Sequence, residues 1–211
     1  MKTKLLFMIA MFISHVAISQ EFFLKTGRNF TNYNYKNSLG KTVSGLERSS
    51  GSNYEFGVEF FLDDAKSSLE SKFSYSASLV LNQFNAKGGN VNNTYVWNTN
   101  YIGIQNMGYA SVLKSPDGFY NLKVKAGFNT STILNGQQYI DNVVYDLKKY
   151  QEFKGIFLQP EIGMDFKLEL TRNLCVDLGY LFSKAFNVSN KSSEKLDFTN
   201  NQLQLGLQYT Y

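Results

Sequence analysis

Between Gly155 and Leu170 the chain alternates with a period of two. The even positions carry Ile156, Leu158, Pro160, Ile162, Met164, Phe166, Leu168 and Leu170; the odd ones carry Gly155, Phe157, Gln159, Glu161, Gly163, Asp165, Lys167 and Glu169. With 43% of residues hydrophobic, apolar residues at all seven non-proline even positions would arise by chance roughly three times in a thousand. Successive side chains of an extended chain point to opposite sides. The stretch is therefore a strand with one greasy face and one wet face.

Seven further runs follow the same rule. The last sets Leu203, Leu205, Leu207, Tyr209 and Tyr211 against Gln202, Gln204, Gly206, Gln208 and Thr210. Residues 54–62, 73–82, 119–130 and 174–183 alternate as clearly, while 22–30 is weaker because Arg28 interrupts its apolar face. In 95–113, Ile102 and Ile104 fall out of phase with Tyr95, Trp97, Met107 and Tyr109, which predicts a bulge. Pro160 deletes a ladder hydrogen bond and predicts a second one. Ile140, Val143, Val144 and Leu147 stand at helical spacing, but would equally extend a hairpin beyond the sheet.

The connections alternate in length: 31–53, 84–94, 132–153 and 187–200 are long, and 63–70, 114–118 and 171–173 are short. The short ones have turn chemistry, as in Ser115-Pro116-Asp117-Gly118. Eight runs with this rhythm predict an all-β fold: an eight-stranded antiparallel up-and-down transmembrane β-barrel, with short periplasmic turns and long external loops.

A soluble barrel also alternates, with its greasy face inside. The wet faces carry charge, and also Gly57, Gly127, Gly163, Gly179 and Gly206, which suit a crowded small lumen. The greasy faces end on Tyr54, Phe73, Trp97, Tyr120, Phe182, Tyr209 and Tyr211, the pattern of an interfacial aromatic girdle. These features favour the membrane. The mean hydropathy of −0.26 then averages two opposite faces with polar loops.

Residues 1–19 have the layout of a signal peptide: Lys2 and Lys4, the apolar stretch Leu5 to Ile13, then Ala17-Ile18-Ser19. The barrel domain is expected to span 20–211. Cleavage would remove two Lys and the single His15, leaving 19 basic against 17 acidic residues and no histidine. That balance gives no footprint for nucleic acid. No Cys/His cluster suggests a metal or cofactor, and a barrel hydrolase would lack its usual base, so no catalytic residue is assigned. Gly40-Lys41-Thr42 lacks the rest of a phosphate-binding loop, and Cys175 reads as a small buried residue.

Lys25, Lys123, Lys125 and Lys167 fall on the wet faces together with Glu55, Glu59, Glu161, Asp165, Glu169 and Asp177. Eight strands leave a lumen only wide enough for side chains, so these ten groups are expected to form a packed charge network. A narrow channel is the other reading of the cluster, and a secreted soluble ligand-binding barrel is the other reading of the fold.

Gln204, Gly206, Tyr209 and Tyr211 resemble the C-terminal targeting signal of outer-membrane barrels. Lys25-Thr26-Gly27-Arg28-Asn29 and Lys125-Ala126-Gly127-Phe128-Asn129 share Lys-x-Gly-x-Asn, 100 residues apart. On these residues the chain from about 20 to 211 resembles the PorT-like outer-membrane β-barrel domain family of Bacteroidetes, whose first strand typically carries that motif. The resemblance implies residence in the outer membrane among its lipids, insertion by the barrel assembly machinery, and a structural or interaction role. A few members are tied to secretion or gliding, and no motif here carries that role over. A monomer is expected, with any protein partner at the external loops, where Tyr33, Tyr35, Tyr139, Tyr145 and Tyr150 would form the contact surface.

Overall fold

Every alternating run becomes a strand, and nearly every strand is longer than its alternation. A computed structural model of the chain describes residues 20–42, 45–90, 93–140 and 143–210; the expected leader and Tyr211 lie outside the described residues. The strands are β1 (Gln20–Lys36), β2 (Leu46–Phe61), β3 (Phe73–Asn90), β4 (Asn93–Lys114), β5 (Tyr120–Ile140), β6 (Val143–Asp146), β7 (Ile156–Thr171), β8 (Leu174–Asn187) and β9 (Lys195–Thr210). Antiparallel pairing runs β1-β2-β3-β4-β5-β7-β8-β9 and returns to β1, so eight of them close a barrel. Closure gives each of the eight barrel strands a partner on both sides.

The ninth strand settles the ambiguous 140–147 segment. Residues 137–140 of β5, beyond their pairing with β7, pair with β6 to make a hairpin above the rim. A one-turn 3-10 helix, Leu147–Lys149, follows it, with Asp146 accepting from the Lys148 N–H at 2.9 Å. The expected long loops at 31–53, 84–94, 132–153 and 187–200 are thus largely strand.

Two expected bulges are corrected. In β4 the odd residues 97–109 face inward without a break, so Trp97, Met107 and Tyr109 are interior, while Ile102 and Ile104 face out. The irregularities lie elsewhere: β5 carries one extra residue at Leu134, and β4 one at Val112. At Pro160 the β7–β8 register continues unshifted on both sides, from Leu158↔Phe186 to Glu161↔Ser183. The proline interrupts the ladder without displacing it, because its missing N–H removes a bond but adds no residue. A further extra residue sits in β2 between Arg48 and Asn53.

The outer wall is apolar around its whole circumference. Leu24, Phe56, Leu79, Ile104, Val124, Ile162, Leu178 and Leu205, one from each barrel strand, are 44–61% exposed. The inner wall carries the charges, which is the reverse of a soluble ligand-binding barrel.

Candidate functional site

Along each strand the inward residues run in one order from the short-turn end to the long-loop end. β1 presents Glu21, Lys25, Asn29 and Tyr33; β5 presents Lys123, Lys125, Asn129 and Ile133. Read backwards, β7 presents Lys167, Asp165, Glu161, Gln159 and Phe157, and β9 presents Gln208, Gln204, Asn200 and Phe198. The lumen therefore has three tiers: charges, then neutral amides and hydroxyls, then aromatic rings.

The charged tier has two centres. Glu59 takes Lys123 at 3.0 Å on one carboxylate oxygen and Lys167 at 2.6 Å on the other. The Ser74 hydroxyl (2.6 Å) and the Gln208 amide (2.7 Å) also donate to it. Asp165 takes Lys25 at 2.7 Å and Lys125 at 2.6 Å, and Lys25 also reaches Asp177 at 2.7 Å. All these side chains are essentially buried, where an unpaired charge is costly and a shared one is tolerated.

Both lysines of the repeated Lys-x-Gly-x-Asn segment thus meet on one aspartate, from strands on opposite sides of the barrel. The glycines of that segment have a local cause. A Cβ on Gly27 would strike the Leu203 carbonyl, and one on Gly127 the Asn106 carbonyl, so neither wall would close over a larger residue. Asn29 joins the amide tier, donating to Asn82 at 3.1 Å and accepting from Asn200 at 3.0 Å.

Three of the expected network members differ from their forecast. Glu55 and Glu161 are buried without a lysine in ion-pair range among the described residues; they accept from Gln204 (2.7 Å) and Gln105 (2.5 Å). Glu169 is half-buried beside the short turn at Thr171 and makes no ion pair among the described residues. It sits where the extra residue Leu170 tilts the strand end, too near the rim to reach a lumen lysine. Sequence reading missed Glu21, fully buried, which accepts from the Ser68 N–H at 2.8 Å and the Thr210 hydroxyl at 2.6 Å. Its inward phase with Lys25 was the available signal. Gln204 and Gly206 of the C-terminal segment line the lumen, whereas Tyr209 faces out.

The aromatic tier is the larger surprise. Tyr33, Phe84, Tyr101, Phe157 and Phe198 pack as one cluster with Trp97, Phe153, Leu147 and Leu196. Phe198 has the rings of Phe84 at 4.6 Å, Tyr33 at 5.0 Å, Phe157 at 5.8 Å and Tyr101 at 6.0 Å between centroids. Tyr33 and Trp97 were expected on a loop and on the outer girdle. The outer strand halves continue past the apolar belt, so their inward residues need a core of their own, and rings fill it.

Both ends are covered. At the short-turn end residues 62–72 fold across the lumen with Ser68, Leu69 and Ser71 buried. The Asn121 amide donates to the carbonyls of Ser68 (3.1 Å), Leu69 (3.0 Å) and Ser71 (3.3 Å). Burial would raise the Asp63 carboxyl, but the Lys72 N–H, donating at 2.5 Å, helps hold it below its ordinary range. At the other end Leu147 and Phe153 close over Trp97, whose ring lies 5.2 Å from that of Phe153. Asn187 pins this cover by donating to the Glu152 and Lys154 carbonyls at 2.9 and 2.7 Å. Burial pushes the Glu152 carboxyl up, and neighbouring Glu194 adds to the effect.

Asn121→Ala should strip three buried carbonyls of their donor, a local loss of about 1–3 kcal/mol. Hydrogen exchange would then speed up across 66–72 and leave the β5–β7 ladder protected. Unchanged exchange in that turn would show that the amide does not hold it.

No family model and no curated protein matches the chain. Among solved structures, the Ail attachment invasion locus protein of Yersinia pestis is 9% identical, covering 90% of this chain and 99% of that one at a TM-score of 0.46. The outer membrane protein OprG of Pseudomonas aeruginosa is 12% identical over 92% and 97%, at 0.48. The outer membrane protease OmpT of Escherichia coli is 11% identical over 91% and 96%, at 0.48. The architecture of this chain stands on its own closed strand pairing.

Proposed function

We propose that the protein is an integral barrel of a bacterial outer membrane with a sealed lumen, acting as a structural or interaction protein through its long-loop end. The observation that carries this is the pairing of a continuous exposed apolar belt with a packed interior covered at both ends. In water such a belt would cost roughly 25 cal/mol for every Å² exposed; in a bilayer it matches its solvent. Export through the 1–19 leader and insertion by the assembly machinery, reading Gln204, Gly206, Tyr209 and Tyr211, belong to the same proposal. So does the PorT-like resemblance, and so does a monomeric state.

The contact surface narrows. Tyr33 is interior and Tyr35 donates to Glu194 at 2.8 Å, but Tyr139, Tyr145 and Tyr150 stay 38–42% exposed on the β5–β6 hairpin and the cover behind it. Glu55 and Glu59 are bonded into the lumen packing, which supports a non-enzymatic reading.

Unboiled protein from the outer-membrane fraction should migrate differently from boiled protein on a gel, and planar bilayers containing it should stay electrically silent. Sustained single-channel conductance would remove the sealed lumen in favour of a narrow channel. Recovery in a carbonate-soluble fraction would remove the membrane assignment.

A further inference from the structure

The outer wall is not uniformly apolar. Just beyond the belt, towards the long-loop end, it carries a groove of about 670 Å³. Its wall includes Phe30 of β1, Arg48 and Ser50 of β2, Lys87 of β3, Tyr180 of β8 and Leu203 of β9. The groove opens where β2 carries its extra residue, and Asn85 fixes that irregular backbone by donating to the Ser50 carbonyl at 2.9 Å. A bulge of this kind bends the strand and re-aims its side chains. Here it lays the Arg48 guanidinium over the Phe30 ring, 5.3 Å from the centroid.

The groove's cations form no close ion pair. Among the described residues neither Arg48 nor Lys87 has a carboxylate within ion-pair distance, although Glu47 stands opposite Lys87 in register. Two more outward cations flank it. Arg28 lies opposite Leu203, and Lys184, with its ammonium 5.0 Å from the Phe186 ring, lies opposite Thr199. Asp197 is the other acid of this stretch, and it pairs with none of them. Immediately towards the short-turn end the wall turns apolar along β9, with Leu203, Leu205 and Leu207 at least half exposed.

We propose that this groove binds a phosphorylated acyl lipid of the surrounding leaflet. Arg48 and Lys87 hold the phosphate, and Phe30, Tyr180 and Leu203 form the wall along which an acyl chain descends. The site rests on the membrane assignment above. A soluble polyanion would engage the cations but would have no use for the apolar wall beneath them. A guanidinium offers paired donors to phosphate oxygens and an ammonium offers a point charge, so the two side chains are complementary ligands for one such group. Placing cations where the belt ends also keeps them in the headgroup region, where their charge stays hydrated.

The test uses the folded full-length barrel, refolded into phosphatidylcholine and transferred to detergent for native mass spectrometry, with phosphatidic acid as the probe. Wild type should retain phosphatidic acid in preference to phosphatidylcholine. Arg48→Ala/Lys87→Ala should lower the retained fraction about tenfold or more, and Arg48→Lys/Lys87→Arg should restore most of it. The control Lys148→Ala/Lys149→Ala, which removes two charges from the loop-end cover, should retain the lipid like wild type. Absence of preference for phosphatidic acid, or an equal loss in the control, overturns the site. Displacement of the lipid by inorganic phosphate would mean that a free anion is the ligand and overturns it too. The heat-dependent gel shift reports separately on the barrel: a variant that keeps the shift is folded. Failure of wild type to enter phosphatidylcholine at all would count against the membrane assignment instead.

Discussion

Glu59→Leu is expected to lower the unfolding free energy by about 3–5 kcal/mol, because it leaves two buried ammonium groups without their shared anion. Lys123 and Lys167 both end on this one carboxylate, and the Ser74 hydroxyl and Gln208 amide have it as acceptor too. The cost comes from stranding charge rather than from losing attraction, and this makes a second expectation possible. The triple change Glu59→Leu, Lys123→Met, Lys167→Met removes all three charges and should lie closer to wild type than the single change does. Urea titration followed by fluorescence of Trp97, the single tryptophan of the chain and a member of the buried aromatic cluster, reads both. A single variant within about 1 kcal/mol of wild type would mean that the lumen rehydrates freely. A triple variant worse than the single would mean that the ion pairs are net stabilising and irreplaceable.

Phe198→Ala is expected to cost about 3–5 kcal/mol from the other half of the lumen. Its ring touches four others and is almost wholly shielded, so truncation opens a cavity that the rigid barrel wall cannot collapse to fill. Phe182→Ala is the matched control: its ring is 41% exposed on the outer wall, where lipid chains can move into the vacated space. The same urea titration should show a clearly smaller loss for that variant. Equal losses would mean that the interior rings pack no more tightly than lipid packs on the wall. Phe198→Ala also separates two ideas about sealing. If the aromatic tier is the barrier, the variant should admit small ions; if the charged tier suffices, it should remain silent.

Much of this was legible in residue order. Gly155 to Leu170 announced a two-faced strand, and the inward phase of Asp165 and Lys167 placed both in the lumen before any partner was known. The alternation of short and long connections fits a ring whose chain reverses seven times, with Ser115 to Gly118 as one tight reversal. There Gly118 takes φ of 72°, a conformation that favours glycine. What faded was the signal wherever both faces became apolar or both became polar. In β4 the inward residues Trp97, Tyr101, Met107 and Tyr109 are as greasy as the outward Ile102 and Ile104, so contrast between faces vanished and a false bulge took its place. Near Tyr33, Phe84 and Phe198 the neighbours are asparagine, threonine and lysine, the composition of loops. Yet cross-strand pairing carried β1, β3 and β9 onward through them. The turn at 62–72 read as a plain connection, because nothing local reports that Asn121, some fifty residues away, waits to bind its carbonyls.

The sequence by itself determined which residues share a face over most strands, because the pleat alternates side chains whatever the strand pairs with. The closed structure decided that the polar set is the one that lines the lumen and the greasy set the one that forms the outer wall. Only the tertiary structure decided who meets whom. Lys25 and Lys125 stand in segments that share Lys-x-Gly-x-Asn, and nothing within either segment names Asp165 as their common anion. That convergence follows from the register and stagger of eight tilted strands, a property of the closed ring rather than of any stretch of chain. The same pairing carries the loop-end halves of the strands beyond the belt, and so it gathers their inward rings into one cluster in the upper lumen.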